Sequence, residues 1–175
     1  MDKCKYIKLK TPLDEKIISK LKAGDRVLII GKIYTARDAA HKIFGSQPPF
    51  ETKGAIIYYA SPTPTKKGAV IGSIGPTTSS RMDSFTPALL KAGVKITIGK
   101  GNRSDEVIKA IKKYQAVYLV VPGGAAALMA KHIKKAAVIA YPQLMSEAVY
   151  ELDVHDLPAT VAIDSKGHNL FTHTK

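Results

Sequence analysis

Cysteine is almost absent from this chain: Cys4 is the only one in 175 residues. A single thiol excludes an internal disulfide framework, and it cannot by itself hold an iron–sulfur cluster, which takes three or four thiolates. Cys4 reads as an ordinary reduced thiol in a first strand. Arginine is scarce too. Of 27 basic residues only Arg26, Arg37, Arg81 and Arg103 are Arg, while 14 acidic residues leave a net charge of +13. Readers of nucleic acid lean on Arg forks, whereas the lysines here are spread along the chain away from aromatics, so nucleic acid is not the expected partner. A solvated Lys surface, an acidic protein partner or an anionic substrate would account for the charge.

Long apolar runs are missing as well. The longest, "AVYLVVPGGAAALMA" at 116–130, is interrupted by Pro122, Gly123 and Gly124 and is shorter than the roughly 20 residues a membrane span needs. No membrane partner is expected. The N-terminal "MDKCKYIKLK" lacks the apolar segment of a signal peptide, which leads to the expectation of a cytoplasmic protein. Nucleotide and nucleophile signatures also fail. In "GVKITIGKGN" five residues separate Gly93 from Gly99, and Gly101 stands where a P-loop needs Ser or Thr. There is no G-x-G-x-x-G at a strand-to-helix turn and no G-x-S-x-G elbow. His168 and His173 lie five apart in a strand-like run, so they face opposite ways and cannot share a metal.

What is present is strand–helix alternation within one domain's length. The pattern predicts a helix over 11–25, one bent or two short strands over 25–36, a short "RDAAHKIF" helix, a buried strand at 54–60 and a helix over 81–93. Strand 94–98, helix 104–113, strand 116–121, helix 123–131 and strand 136–141 follow. The tail 157–174 reads as two strands joined by the turn "DSKG" at 164–167. An α/β domain spanning 1–175 with a mainly parallel central sheet is the expectation.

Three stretches carry unusual chemistry: "IYTARDAAHK" at 33–42, "GPTTSSRMD" at 75–83 and "IGKGNRS" at 98–104. Each has a structural reading. Ser79 or Ser80 would cap a helix, Asp38 would bond backbone, and His41 would be a core histidine. Each also has a functional one. Arg37, Arg81 and the glycine-flanked Lys100 fall with several hydroxyls at strand-to-helix ends, where open α/β sheets place ligands. The hydroxyl run before helix 81–93 would meet that helix's free N–H groups and favour an anion.

Together with the tail "PATVAIDSKGHNLF", these motifs closely resemble the β subunit, or C-terminal half, of iron–sulfur class I fumarases and L-tartrate dehydratases. The likeness runs from about Gly24 to Phe171. Ser80 departs from the family's usual Gly, "YASPTP" replaces a more Gly-rich turn, and "LMSEAVYE" at 144–151 differs from the family's Gly-Met-Glu-Ala segment, so no role is assigned to Glu147. The resemblance implies a swivelling β/β/α fold and half of an active site for reversible dehydration of (S)-malate to fumarate, with tartrate as the alternative substrate. It implies an α subunit whose three cysteines hold a [4Fe–4S] cluster with one iron open as a Lewis acid. By motif position Arg37, Arg81 and Lys100 would bind substrate carboxylate and Thr77 would be the C3 base. Asp38, His41 and Asp83 would orient them. The length suits a separately encoded subunit. A non-enzymatic anion- or nucleic-acid-binding domain is the alternative from a different class, and it implies steeply salt-dependent DNA binding.

Overall fold

The longest strand of the molecule is the one its sequence disguises best. In the computed structural model, which describes residues 6–172, a strand runs without interruption from Val149 to Ile163 and pairs antiparallel with three others. Cys4 and His173 lie outside the described residues, and with them the reading of Cys4 as a strand thiol and the comparison of the two histidines.

The elements in chain order are β1 (Ile7–Lys10), α1 (Glu15–Ile18), β2 (Arg26–Thr35), α2 (Asp38–Phe44), β3 (Ile56–Tyr58), β4 (Ala60–Pro62) and β5 (Ile74–Pro76). A 3-10 turn at Ser79–Met82 leads to α3 (Thr86–Lys91), β6 (Ile96–Gly99), α4 (Asp105–Tyr114), β7 (Val117–Val120), α5 (Ala126–Lys131) and β8 (Ile133–Ala140). A second 3-10 segment at Pro142–Glu147 precedes β9 (Val149–Ile163), and a third closes the described chain at Leu170–Thr172. The main sheet has the order β1-β2-β3-β6-β7-β9-β8, with β2 also paired to β9. That extra pairing closes a circuit of hydrogen-bonded strands through β2, β3, β6, β7 and β9. β4 and β5 form a separate small antiparallel pair.

The fold is therefore mixed α/β, as expected, but its sheet is less parallel than the sequence suggests. Parallel pairing holds from β1 through β7, while every pairing of β9 is antiparallel. The reason is connection length. Only Tyr141–Ala148 separate β8 from β9, and a parallel crossover needs a dozen residues or more. The expected strand at 136–141 is thus found as β8, running in the same sense as the parallel strands, and it is β9 that turns back. The expected pair of tail strands is the end of β9 plus a single bridge between Ile163 and Asn169 around the 164–167 turn. Asp164 sets that turn by accepting from the N–H groups of Lys166 and His168. Burial alone would push its carboxyl up, but its donors, the His168 ring first, outweigh this and hold it below the ordinary value.

Three helices are shorter than their patterns; α5 lacks only 123–125, while α1 and α3 differ more. Thr11 and Leu13 donate backbone N–H groups to Ile30 and Gly54, which holds 11–13 against the sheet, so α1 starts only after the Asp14 cap. The expected helix 81–93 is broken in two. Pro87 sits in the first turn of α3 and has no N–H to donate back to residue 83, so a continuous helix cannot run through it, and the Asp83 and Thr86 side chains turn inward. The free N–H groups of α3 are therefore a turn away from the hydroxyl run, and the 3-10 turn has no side-chain cap. α4 matches its sequence closely: Ser104 caps it through the Val107 N–H, with Asp105 and Glu106 in the first turn.

Alternation along the strands divides the interior into two cores. Leu9, Ile29, Ile56, Tyr58, Ile98, Leu119 and Val161 face one cluster, and Ile57, Tyr59, Tyr118 and Ile163 face another shared with Phe44, Leu89 and Val107 of the helices. Glycine is required where the β6 end passes under the hydroxyl segment: a Cβ on Gly99 would collide with Ser79 Oγ. Gly99→Ala is expected to destabilise the fold by about 1–3 kcal/mol, the usual cost of overpacking a filled site. Urea unfolding of the variant beside the parent measures it, and equal midpoints would show that the Ser79 segment moves aside freely.

Candidate active site

Three chain segments leave the sheet at neighbouring carboxyl ends. Arg37 and Asp38 follow β2, Ser61 lies in β4 just beyond β3, and Lys100 follows β6. Thr77 follows β5, and its N–H donates to the Tyr59 carbonyl just past the end of β3 (2.7 Å). These are the ends at which α/β sheets place their ligands.

At the surface Arg37, Arg81 and Asp38 come together. Arg81 Nε donates to Asp38 Oδ1 at 2.9 Å, and the Arg81 side chain is 51% exposed. With its inner nitrogen committed, the terminal fork is turned outward. Arg37 is more enclosed. Its NH1 donates to Ser61 Oγ at 2.7 Å, and its NH2 lies 3.5 Å from Glu147 Oε1 and 3.8 Å from Asp38 Oδ2. Arg37 Nε and Asp38 Oδ2 are buried without a hydrogen-bond partner. A buried N–H with no acceptor is costly, so this corner suits an added polar group.

Lys100 and Thr77 are joined through backbone. Thr78 and Lys100 form a parallel bridge, the Lys100 N–H donates to the Thr77 carbonyl (3.3 Å) and the Ser79 N–H to the Lys100 carbonyl (2.9 Å). Lys100 is exposed and Thr77 half-buried. Among the described residues neither the Thr77 hydroxyl nor the Lys100 ammonium has a hydrogen-bond partner.

The supporting residues divide differently from expectation. Asp38 does contact both arginines. Asp83 contacts neither: its Oδ1 accepts from Arg103 Nε (2.7 Å) and its Oδ2 from the Ser104 N–H (2.7 Å). His41 is fully buried beside Phe44, Tyr59 and Phe85, as the core-histidine reading has it. Its Nδ1 lies 2.8 Å from the Arg37 carbonyl, which can only accept, so Nδ1 carries the proton and Nε2 is left without a partner. It touches the Arg37 backbone and not the guanidinium. Ser79 caps no helix, because its hydroxyl bonds the Tyr118 hydroxyl (2.9 Å).

Sequence reasoning missed several members. Glu147, left without a role, braces Arg37 and also accepts from the Ala39 N–H at the start of α2 (3.1 Å). Ser61, in the "YASPTP" stretch and within β4, holds the other side of Arg37. Arg103, which the sequence reading gives no role, has a wholly buried side chain. No group of three His, Cys, Asp or Glu side chains among the described residues could hold a metal ion, and the chain's one cysteine cannot anchor a cluster. The residues here do not fit an iron–sulfur group of their own. No helix among the described residues is long and apolar enough to cross a membrane.

A mixed α/β domain with an open, mainly cationic surface at its strand ends is the class that fold and site define. Comparison with known proteins narrows it. The family profile described as the fumarase C-terminus matches residues 1–174. Fumarate hydratase 2 of Leishmania major is 39% identical over 96% of this chain and 31% of that protein. The aerobic class I fumarate hydratase of Escherichia coli is 37% identical over 94% of the chain and 32% of that protein. A putative L(+)-tartrate dehydratase subunit beta of Methanocaldococcus jannaschii is 41% identical over 91% of the chain and 88% of that subunit. The chain thus spans about a third of the fumarate hydratases it matches and most of the beta subunit. It belongs to the fumarase C-terminal family.

Burial lowers the His41 pKa from 6.5 to about 4. Between those values the unfolded chain binds a proton that the folded chain does not, so stability falls as pH drops through this window. The contribution is roughly 3 kcal/mol at about 1.4 kcal/mol per pKa unit. Denaturant unfolding across pH 4 to 7 is expected to show this slope in the parent and to lose it in His41→Leu; an unchanged slope would place the titration elsewhere.

Proposed function

We propose that this chain is the β subunit of a heteromeric hydro-lyase that interconverts (S)-malate and fumarate, and that it works with an α subunit bearing a [4Fe–4S] cluster. The observation that carries the reading is that Arg37 and Arg81 share Asp38 while Thr77 and Lys100 are joined by backbone bonds, all in segments that follow β2, β5 and β6. Membership of the family supports the hydro-lyase class, and the name of the M. jannaschii relative, a subunit beta, supports a partner. The swivelling β/β/α description is the finer fold assignment we attach to that membership.

In this reading the chain supplies charge and a proton acceptor. Loss of the C3 proton places negative charge on the neighbouring carboxylate. The outward fork of Arg81 offers that carboxylate two parallel N–H groups, and Lys100 adds a point charge. Arg37, clamped by Ser61 and Glu147, adds positive charge from a fixed position. Preorganised donors of this kind are worth most where a partner surface excludes water. Thr77 is the proposed C3 base. A Thr hydroxyl is a weak base, and adjacent cations lower the cost of its alkoxide; its hydroxyl is uncommitted to other groups. Asp38 holds Arg81, and through its backbone bond His41 holds the turn that starts α2.

Tartrate is a second substrate reading. It is favoured by one observation, that the relative matched over most of its own length is named a tartrate dehydratase subunit. Anaerobic assays of the assembled complex with malate and with L-tartrate decide between them by kcat/KM, and turnover of neither would overturn the hydro-lyase reading.

Two substitutions test the roles. Arg81→Lys keeps the charge and loses the fork, so kcat/KM is expected to fall by about 10- to 100-fold; near-normal kinetics would show that Arg81 does not grip a carboxylate. Thr77→Val keeps the branched shape and removes the oxygen. With malate deuterated at C3 it is expected to abolish both dehydration and solvent exchange at C3 while dicarboxylate affinity stays. A variant that still exchanges the C3 hydrogen moves the base to the partner subunit.

A further inference from the structure

The segments that carry Thr77 and Lys100 meet above a single buried phenol. Tyr118 of β7 is fully buried, and its hydroxyl lies 2.9 Å from Ser79 Oγ and 2.8 Å from the Gly101 carbonyl. A phenol has one hydrogen and a carbonyl only accepts. Tyr118 therefore donates to Gly101 and accepts from the Ser79 hydroxyl. Burial pushes its pKa up to about 12, so it stays a donor at neutral pH.

Each partner is one residue from a backbone lock. Ser79 also donates its N–H to Lys100, and Lys100 donates to Thr77. Gly101 directly follows Lys100 and turns there with φ 78°. Ser79 Oγ occupies the space that a Cβ on Gly99 would take, and the Tyr118 ring is itself held under Arg103, 4.9 Å from the guanidinium carbon. Hydroxyl and backbone bonds together make a closed ring through Ser79, Lys100, Gly101 and Tyr118.

We propose that the Tyr118 hydroxyl is a positioning group, a two-ended staple that fixes the Thr77 segment against the Lys100 segment. Its consequence for turnover rests on the functional reading of Thr77 and Lys100; the staple itself does not. Without the hydroxyl the two segments keep only the paired backbone bonds at the end of a sheet, which open locally more often. A small displacement at a reacting centre is costly, since about 1 Å of misplacement can lose about 100-fold in rate.

Tyr118→Phe keeps the ring, its packing and the contact with Arg103. In the full chain, amide exchange followed by NMR is expected to quicken by about 10-fold or more at Ser79 and Lys100 while Tyr59, bonded to Ile98 in the sheet beneath, keeps its protection. In the assembled enzyme kcat/KM is expected to fall about 10-fold or more, and Ser79→Ala combined with Tyr118→Phe to lose no more than the worse single variant. Unchanged exchange at Ser79 and Lys100 would overturn the staple, as would fully additive kinetic losses. The two ideas fail separately. Quickened exchange in Tyr118→Phe beside normal turnover in Thr77→Val supports the staple and removes the catalytic reading. Unchanged exchange beside an inactive Thr77→Val does the reverse.

Discussion

A buried guanidinium sets the shape of the strand ends. Arg103 donates from Nε to Asp83, from NH1 to Thr97 Oγ1 and from NH2 to Thr86 Oγ1, and it lies against the rings of Tyr59 and Tyr118. The Thr86 hydroxyl is saturated: it donates to the Met82 carbonyl and accepts from Arg103 and from Tyr59. One side chain thereby ties together β6, the connection into α3 and two sheet tyrosines. Taking an ion out of water costs several kcal/mol, and removing one partner of a buried pair typically costs about 3–5 kcal/mol. Such a pair adds little net stability over apolar packing. Its effect here is on geometry, since few arrangements of these elements give each nitrogen of the guanidinium an acceptor.

The outer cluster obeys different physics. Arg81 is half exposed and its contact with Asp38 is screened by water, so the pair is worth roughly 0–1 kcal/mol. It aims the guanidinium more than it stabilises the fold. Below the surface lies the Arg103 network, with an acceptor for each guanidinium nitrogen; at the surface lie Arg81, Lys100 and Thr77 with donors or acceptors to spare. A rigid polar foundation under an uncommitted cationic face is an arrangement that can receive an anion without rearranging.

Much of the fold is legible because the local signals agree with it. The run "GAIIYYA" reads as a buried strand, and both of its faces are indeed covered, Ile56 and Tyr58 by one core and Ile57 and Tyr59 by the other. α4 announces itself through the Ser104 cap. Two helices were overread because tertiary bonds override periodicity: Thr11 and Leu13 are drawn to the sheet, and Asp83 and Thr86 are drawn to Arg103. β9 was illegible as one strand. It contains Pro158 and a positive-φ Asp156, each a sign of a turn by itself, and its neighbours β2 and β7 are distant enough along the chain that only the fold brings them alongside.

The sequence by itself determined the residue types of the candidate site and their place at strand ends, because the motifs are local and the alternation that frames them is local. It also determined that the chain cannot anchor an iron–sulfur cluster alone, which is a matter of counting thiols. Only the tertiary structure decided who pairs with whom. Along the chain Arg37 sits beside Asp38 and Arg81 two places from Asp83, and the local expectation treats all four alike. In the fold the partners cross: Arg81 takes Asp38, 43 residues away, and Asp83 turns inward to Arg103, 20 residues away. The carboxylates are chemically equivalent, so burial makes the choice. Asp83 lies where the desolvated Arg103 needs a counter-charge, and Asp38 lies where Arg81 can reach it and remain in water.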